Sequence, residues 1–127
     1  MKIEKFTELT VWQKAHELTL LVYRLSDAFP DRERFGIVAQ IRRSAASVPA
    51  NIAEGFGRRT TRELLRSLQI ARGEIEETRY FSMLSRDLGH LAPDGFRQLT
   101  EGCDTVGKLV NALMTSLNRR IGDSGKH

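Results

Sequence analysis

The sequence predicts an all-α protein, an antiparallel up-down four-helix bundle built as one domain. Three observations carry that reading. Four apolar ladders repeat at alternating spacings of three and four residues, the period of one face of an α-helix. Helix-breaking residues fall between the ladders, with Pro49 the one proline inside. No stretch shows the strict apolar-polar alternation of a half-buried strand.

The first helix is expected near residues 10–28, on the ladder Val11, Ala15, Leu18, Val22, Leu25 and Phe29. It stops at Phe29-Pro30-Asp31 because a proline disfavours helix in the residue before it. The second, near 34–55, carries Val38, Ile41, Ala45, Val48 and Ile52 and ends at Gly55-Phe56-Gly57. Pro49 removes a backbone donor within it and either kinks the helix or splits it in two. The third, near 61–88, uses Leu64, Leu68, Ala71, Ile75 and Thr78, after which the seam shifts to Phe81, Leu84 and Leu88. Thr60 with Glu63 reads as its capping box, and Gly89 as its end. Gly73 in mid-helix costs roughly 1 kcal/mol against alanine, which predicts close approach of a neighbouring helix there. The fourth, near 93–119, has the most regular ladder: Phe96, Leu99, Cys103, Val106, Val110, Leu113 and Leu117. Pro93 and Asp94 suit its first turn. Residues 1–120 are expected to form the domain and 121–127 a flexible tail. Short connections make neighbouring helices antiparallel.

With 40% hydrophobic and 28% charged residues, the 127-residue chain has globular rather than disordered composition. The N-terminal MKIEKFTEL lacks the apolar core of a secretory signal, and no apolar run reaches the roughly 20 residues that span a bilayer. A single cysteine, Cys103, excludes an intrachain disulfide and suits a reducing compartment. A cytoplasmic protein with no membrane partner is the expectation.

Chemistry-bearing patterns are missing. There is no GxSxG, Walker loop, GxGxxG or CxxC, and no Glu-x-x-His repeat of the kind that builds bundle metal sites. His16 and His90 are far apart in sequence, and Cys103 falls on a core position where a thiol is inert. These features predict neither an enzyme nor a cofactor nor a metal.

Two features point to partners instead. Between Ile37 and Ala53 the only formal charges are Arg42 and Arg43, and Ala39, Ala46, Ala50 and Ala53 form a small-residue face opposite the Val/Ile ladder. A helix apolar nearly all round has to be covered nearly all round, which predicts self-association through those alanines. The stripe Gln40, Ser44, Ser47 and Asn51 either lines a channel or fixes helix register by hydrogen bonds. The second feature is charge. From Arg34 to Arg72 the chain has eight arginines against Glu54 and Glu63 alone, so the middle third holds the net positive charge.

The run QIRRSAASVPANIAEGFGRR, Gln40 to Arg59, resembles a family of four-helix bundle proteins encoded by intervening sequences of bacterial large-subunit ribosomal RNA genes, also labelled a ribosomal protein family. Leu9-Thr10-Val11-Trp12 with Ala15, Phe29-Pro30, Phe35-Gly36, and Ile70-Ala71-Arg72-Gly73 with Glu77 extend the likeness over roughly Phe6 to Leu117. The resemblance implies an antiparallel bundle assembled into a ring, a pentamer; a dimer is the second expectation for the oligomer. The architecture is also similar to accessory proteins of diversity-generating retroelements, which bind nucleic acid and a reverse transcriptase. Glu74 departs from the small serine common in the family.

These features yield one functional expectation and one alternative. The first is an oligomer that binds RNA or DNA, with little sequence preference, through Arg42, Arg43, Arg58, Arg59, Arg62 and Arg66. Phe56, between two glycines, would offer a stacking face for an unpaired base. Against this, the same arginines would be solvated, or would pair with Glu54, Glu63 or a neighbouring subunit's Glu74, Glu76 and Glu77 as ordinary surface ion pairs. The alternative is a scaffold whose ring presents a groove or rim to a protein partner.

Overall fold

The structure, a computed structural model of the chain, describes residues 3–125. Four helices make the bundle: α1 (Thr10–Ser26), α2 (Ile37–Gly57), α3 (Thr61–Asp87) and α4 (Pro93–Gly125). Short 3-10 turns, Phe6–Glu8 and Asp31–Glu33, precede α1 and α2, and no strand occurs among the described residues. Each helix packs on its neighbours in sequence and α1 closes against α4, while the diagonal pairs make no close backbone contact. That is the up-down arrangement.

Helix ends follow local chemistry. The Glu8 carboxylate accepts the backbone N–H groups of Glu4 and Lys5 at 2.9 and 2.8 Å, fixing the entry to α1. At α3 the Thr60 hydroxyl accepts from the Glu63 N–H at 3.1 Å, one half of the expected capping box. The Glu63 carboxylate meets the Thr60 hydroxyl at 3.1 Å rather than its backbone N–H. The other end of α3 is a Schellman motif: His90 N–H donates to Ser85 O and Gly89 N–H to Arg86 O. Gly89 takes φ +80, a conformation that favours glycine. α4 passes its expected end near 119 and continues to Gly125, so the expected tail 121–127 begins as helix. Gly122 is a weak breaker by itself, costing roughly 1 kcal/mol. Residues 126–127 lie outside the described part.

α2 is one continuous helix through Pro49, not two shorter ones. Its ladder is buried as expected, and Ser44 is buried with it. Thr78 of α3 donates its hydroxyl to Ser44 Oγ at 2.8 Å, while Ser44 reaches Ile41 O at 3.2 Å. The polar stripe therefore divides. Ser44 fixes α2–α3 register within the chain, while exposed Gln40 and half-buried Ser47 and Asn51 lie at the flank.

The ladders of α3 and α4 differ from expectation in their second halves. The α3 seam continues as Thr78, Ser82 and Ser85, leaving Phe81 and Leu84 half-buried and Leu88 exposed. Serines there let the helices approach, and the larger side chains flank the contact. In α4, Met114 is buried in place of Leu113, the drift expected when a 3.6-residue turn runs along a seven-residue repeat.

Gly73 does not mark close packing. Nothing lies within 4 Å of the position its Cβ would occupy. The close approaches occur instead at Gly55, where Ser67 Cβ lies 2.6 Å from that position, and at Gly102, where Leu18 Cδ1 lies 2.9 Å away.

Candidate nucleic-acid interface

α2 ends at Gly57 and α3 begins at Thr61, so Arg58, Arg59 and Thr60 form the whole connection. Arg58 and Thr60 are both extended, which turns the chain sharply between two long helices. Arg62 and Arg66 follow one turn apart on α3 and share a face. Arg58, Arg59, Arg62 and Arg66 are thereby gathered at one corner of the bundle, and all four are exposed.

Their partners differ. Arg58 reaches Glu54 Oε1 at 3.1 Å across one helical turn, an exposed pair of the kind worth about 0–1 kcal/mol. Arg59, Arg62 and Arg66 form no ion pair among the described residues. Between the helices Glu54, Arg58, Glu63, Arg66, Ser67 and Ile70 bound a cleft of about 370 Å³. The corner thus offers three free guanidinium forks and one loosely held, matched to phosphate oxygens in shape and charge.

Arg42 and Arg43 are not part of it. Arg42 is clamped to the C-terminal end of α1, with Nε 2.8 Å from Ser26 Oγ and Nη2 2.9 Å from Asp27 Oδ1 and 3.3 Å from Tyr23 O. Its guanidinium also lies 4.5 Å from the centre of the Tyr23 ring. A cation at a helix C-terminus is favourable, so this is a packing role. Arg43 pairs with Glu74, at 3.3 Å, and with Glu77, both on α3. Glu74, the departure from the family pattern, thus has an intrachain partner. Both arginines are held by ion pairs, but the partners are Asp27 and, within the same chain, Glu74 and Glu77, rather than Glu54, Glu63 or a neighbouring subunit.

Phe56 is half-buried rather than held out as a bare ring. The most exposed aromatic among the described residues is Phe35, at 89%, at the far end of the roughly 30 Å α2 helix. Arg34 lies 5.7 Å from the centre of its ring. Sequence reasoning passed over Phe35, although an aromatic beside Gly36 in a charged connection was a readable signal. It also missed a second cleft, of about 510 Å³, along α3 and α4, where Arg72 and Lys108 are among the lining residues.

The remaining reactive groups are engaged. Burial pushes the Cys103 thiol up to about 11, beyond useful nucleophilicity. His90 lies 2.8 Å from Glu33 Oε2, its side chain almost wholly buried beneath the connection into α2. His16 stacks on Trp12 with ring centres 5.0 Å apart. Ala39 and Ala50 are exposed on α2, and Ala46 and Ala53 half-buried; Leu20 and Tyr23 are exposed on α1. Among the described residues no helix is long and apolar enough to cross a membrane.

Comparison with known proteins places this geometry. A crystal structure of a protein of unknown function, from the S23 ribosomal protein family of Bacteroides thetaiotaomicron, superposes with a TM-score of 0.75. The match covers 83% of this chain and 95% of that one at 23% identity, a likeness of fold. No curated protein matches the chain. The family model described as 23S rRNA-intervening sequence protein matches residues 7–112. Because that match spans most of the sequence, the chain belongs to the family of 23S rRNA-intervening sequence proteins.

Proposed function

We propose that the protein is a non-catalytic, self-associating helical bundle that binds nucleic acid, RNA foremost, through backbone phosphates at the α2–α3 corner. One observation carries the reading: Arg59, Arg62 and Arg66 are exposed together without an ion-pair partner among the described residues, while Arg42 and Arg43 in the same basic third are tied down. Guanidinium groups crowded at a helix N-terminus oppose the macrodipole, and an incoming phosphate relieves that conflict. Self-association multiplies the corner. In the pentameric ring that the family resemblance implies, the repeated arginines would bind a polyanion at several points with a steep salt dependence.

The test is binding of labelled RNA to the purified protein across a salt series. Arg59→Ala and Arg62→Ala should each weaken binding similarly for unrelated sequences and lower the slope of affinity against salt. Both should melt within about 0.5 kcal/mol of wild type, as surface substitutions do. Absence of binding to RNA and DNA at low ionic strength would reject the reading. Phe35 favours the alternative, a scaffold for a protein partner, since a bare aromatic at a bundle end suits a protein pocket. Loss of a protein partner on Phe35→Ala, with no RNA binding by wild type, would establish it.

A further inference from the structure

Seven glycines inside α2, α3 and α4 have described surroundings, and they divide into two groups. Gly55, Gly95 and Gly102 each have a neighbouring side-chain atom no more than 3.0 Å from where a Cβ would stand, so these glycines serve packing within the chain. Gly57 and Gly122, near the ends of α2 and α4, and the mid-helix pair Gly73 on α3 and Gly107 on α4 have nothing within 4 Å of that position. Each of the mid-helix pair still costs roughly 1 kcal/mol of helix stability relative to alanine. Gly73 and Gly107 line the same cleft of about 510 Å³ between α3 and α4, and nothing among the described residues makes use of the room they leave.

The charge of that cleft narrows what enters. Its lining includes Arg72, Arg79 and Lys108 against Glu76 and Asp104. Arg79 engages both acids, at 3.2 Å to Glu76 Oε2 and 2.8 Å to Asp104 Oδ1. Arg72 and Lys108 are exposed and form no ion pair among the described residues. Gln69 and Asn111 add amide groups. The cleft also continues the arginine corner: Arg62, Arg66, Gln69 and Gly73 lie four, three and four residues apart, all exposed, on one outward stripe of α3. From Arg62 to Gly73 that stripe rises about 17 Å.

We infer that the α3–α4 cleft is the bed of a single-stranded polynucleotide whose backbone runs from the arginine corner over Gly73 and Gly107, with phosphates held by Arg72 and Lys108. This rests on the nucleic-acid reading above and adds the class of substrate. A surface furrow of about 510 Å³ between two helices has room for the flexible backbone of one strand to settle into it, whereas a rigid duplex, two strands wide, rests on its rim. Bare glycine backbone on both walls lets a sugar-phosphate chain approach where any side chain would hold it off.

Fluorescence anisotropy with an unstructured RNA of about 15 nucleotides, beside a hairpin duplex of similar length, tests the inference. Wild type should bind the single strand more tightly. The double variant Gly73→Leu/Gly107→Leu starts both side chains from open space at Cβ, fills the furrow, and should weaken single-strand binding about tenfold or more while melting no lower than wild type. Arg72→Ala and Lys108→Ala should each lower the salt slope by roughly 0.7, the value for one phosphate of a single strand. If the filled variant binds the single strand as tightly as wild type, while Arg62→Ala still loses affinity, the cleft inference is wrong and the corner stands. If wild type binds neither probe at low salt, the nucleic-acid reading itself fails. A filled variant that changes assembly mass in light scattering but not RNA affinity would assign the cleft to a second copy of the chain and overturn the inference.

Discussion

The hydroxyl of Thr19 lies 3.0 Å from the carbonyl oxygen of Ala45, the oxygen that Pro49 leaves without its helical donor. In an unbroken helix the N–H of residue 49 would bond Ala45 O, and proline has none. The same hydroxyl lies 3.1 Å from Ala15 O within its own helix, but Ala45 O has the greater need. One side chain on α1 thus satisfies the weak point of α2, and α2 runs on as a single helix through Pro49.

A double-mutant cycle tests this dependence. Thr19→Val should destabilise the protein by about 1–3 kcal/mol in denaturant titrations, the cost of a buried carbonyl without a donor. In a Pro49→Ala background, where a backbone N–H is restored, the same substitution should cost less than about 1 kcal/mol. Equal costs in both backgrounds would show that Thr19 acts independently of the proline.

The glycines should respond in opposite directions. Gly73→Ala and Gly107→Ala each meet open space and should raise stability by about 0.5–1 kcal/mol. Gly55→Ala places a methyl 2.6 Å from Ser67 Cβ and should lower it by about 1–3 kcal/mol as the helices separate. Thermal melts of the three variants decide the matter.

Ser82 is the buried hydroxyl without a hydrogen-bond partner among the described residues. Ser82→Ala removes a desolvated polar atom and should stabilise the fold by about 1 kcal/mol. Destabilisation instead would mean that the hydroxyl has a partner when the protein assembles.

The proposed self-association should be separable from folding because Ala50 is exposed on the single chain. Ala50→Glu should leave the helical circular dichroism spectrum intact and reduce the mass seen by light scattering towards 14.4 kDa. A wild type that already has that mass at micromolar concentration would remove the oligomer from the proposal.

Hydrogen bonds from Arg97 and then Gln98 hold the Asp94 carboxyl below its usual value of 3.8, aided by the Arg97 charge. A lowered folded value stabilises the protein above the unfolded value and is lost as pH falls through the folded one. The stability advantage of wild type over Asp94→Ala should therefore be full above about pH 4 and shrink as the pH drops further. A difference that stays constant down to pH 2 would show that Asp94 contributes without its charge.

Much of the fold was legible because its causes are local. Ladder spacing, Pro30, Gly89 and Pro93 each act within a turn or two of themselves, and each marks the element it was expected to mark. What was not legible depends on which atoms meet across helices. Gly73 reads the same in sequence whether a neighbour fills its space or leaves it open. Arg42 and Arg59 are equally basic letters, yet one is clamped to Ser26, Asp27 and Tyr23 while the other stands free. The candidate site was half legible for this reason: its charge could be counted, but its geometry depended on the reach of α1 and α3.

Gly55 has a consequence for the corner beside it. With Ser67 pressed against its backbone, the last turn of α2 and the first turns of α3 are held at fixed separation, and the three-residue connection has little freedom to splay. The spacing among Arg59, Arg62 and Arg66 is therefore set during folding, and the ordering entropy of the backbone that bears them is not charged to a later encounter. Loosening the corner through Gly55→Val should slow nothing in the approach of a polyanion, which long-range charge governs. It should instead shorten the lifetime of the complex, because backbone mobility gained there has to be lost again at every binding event.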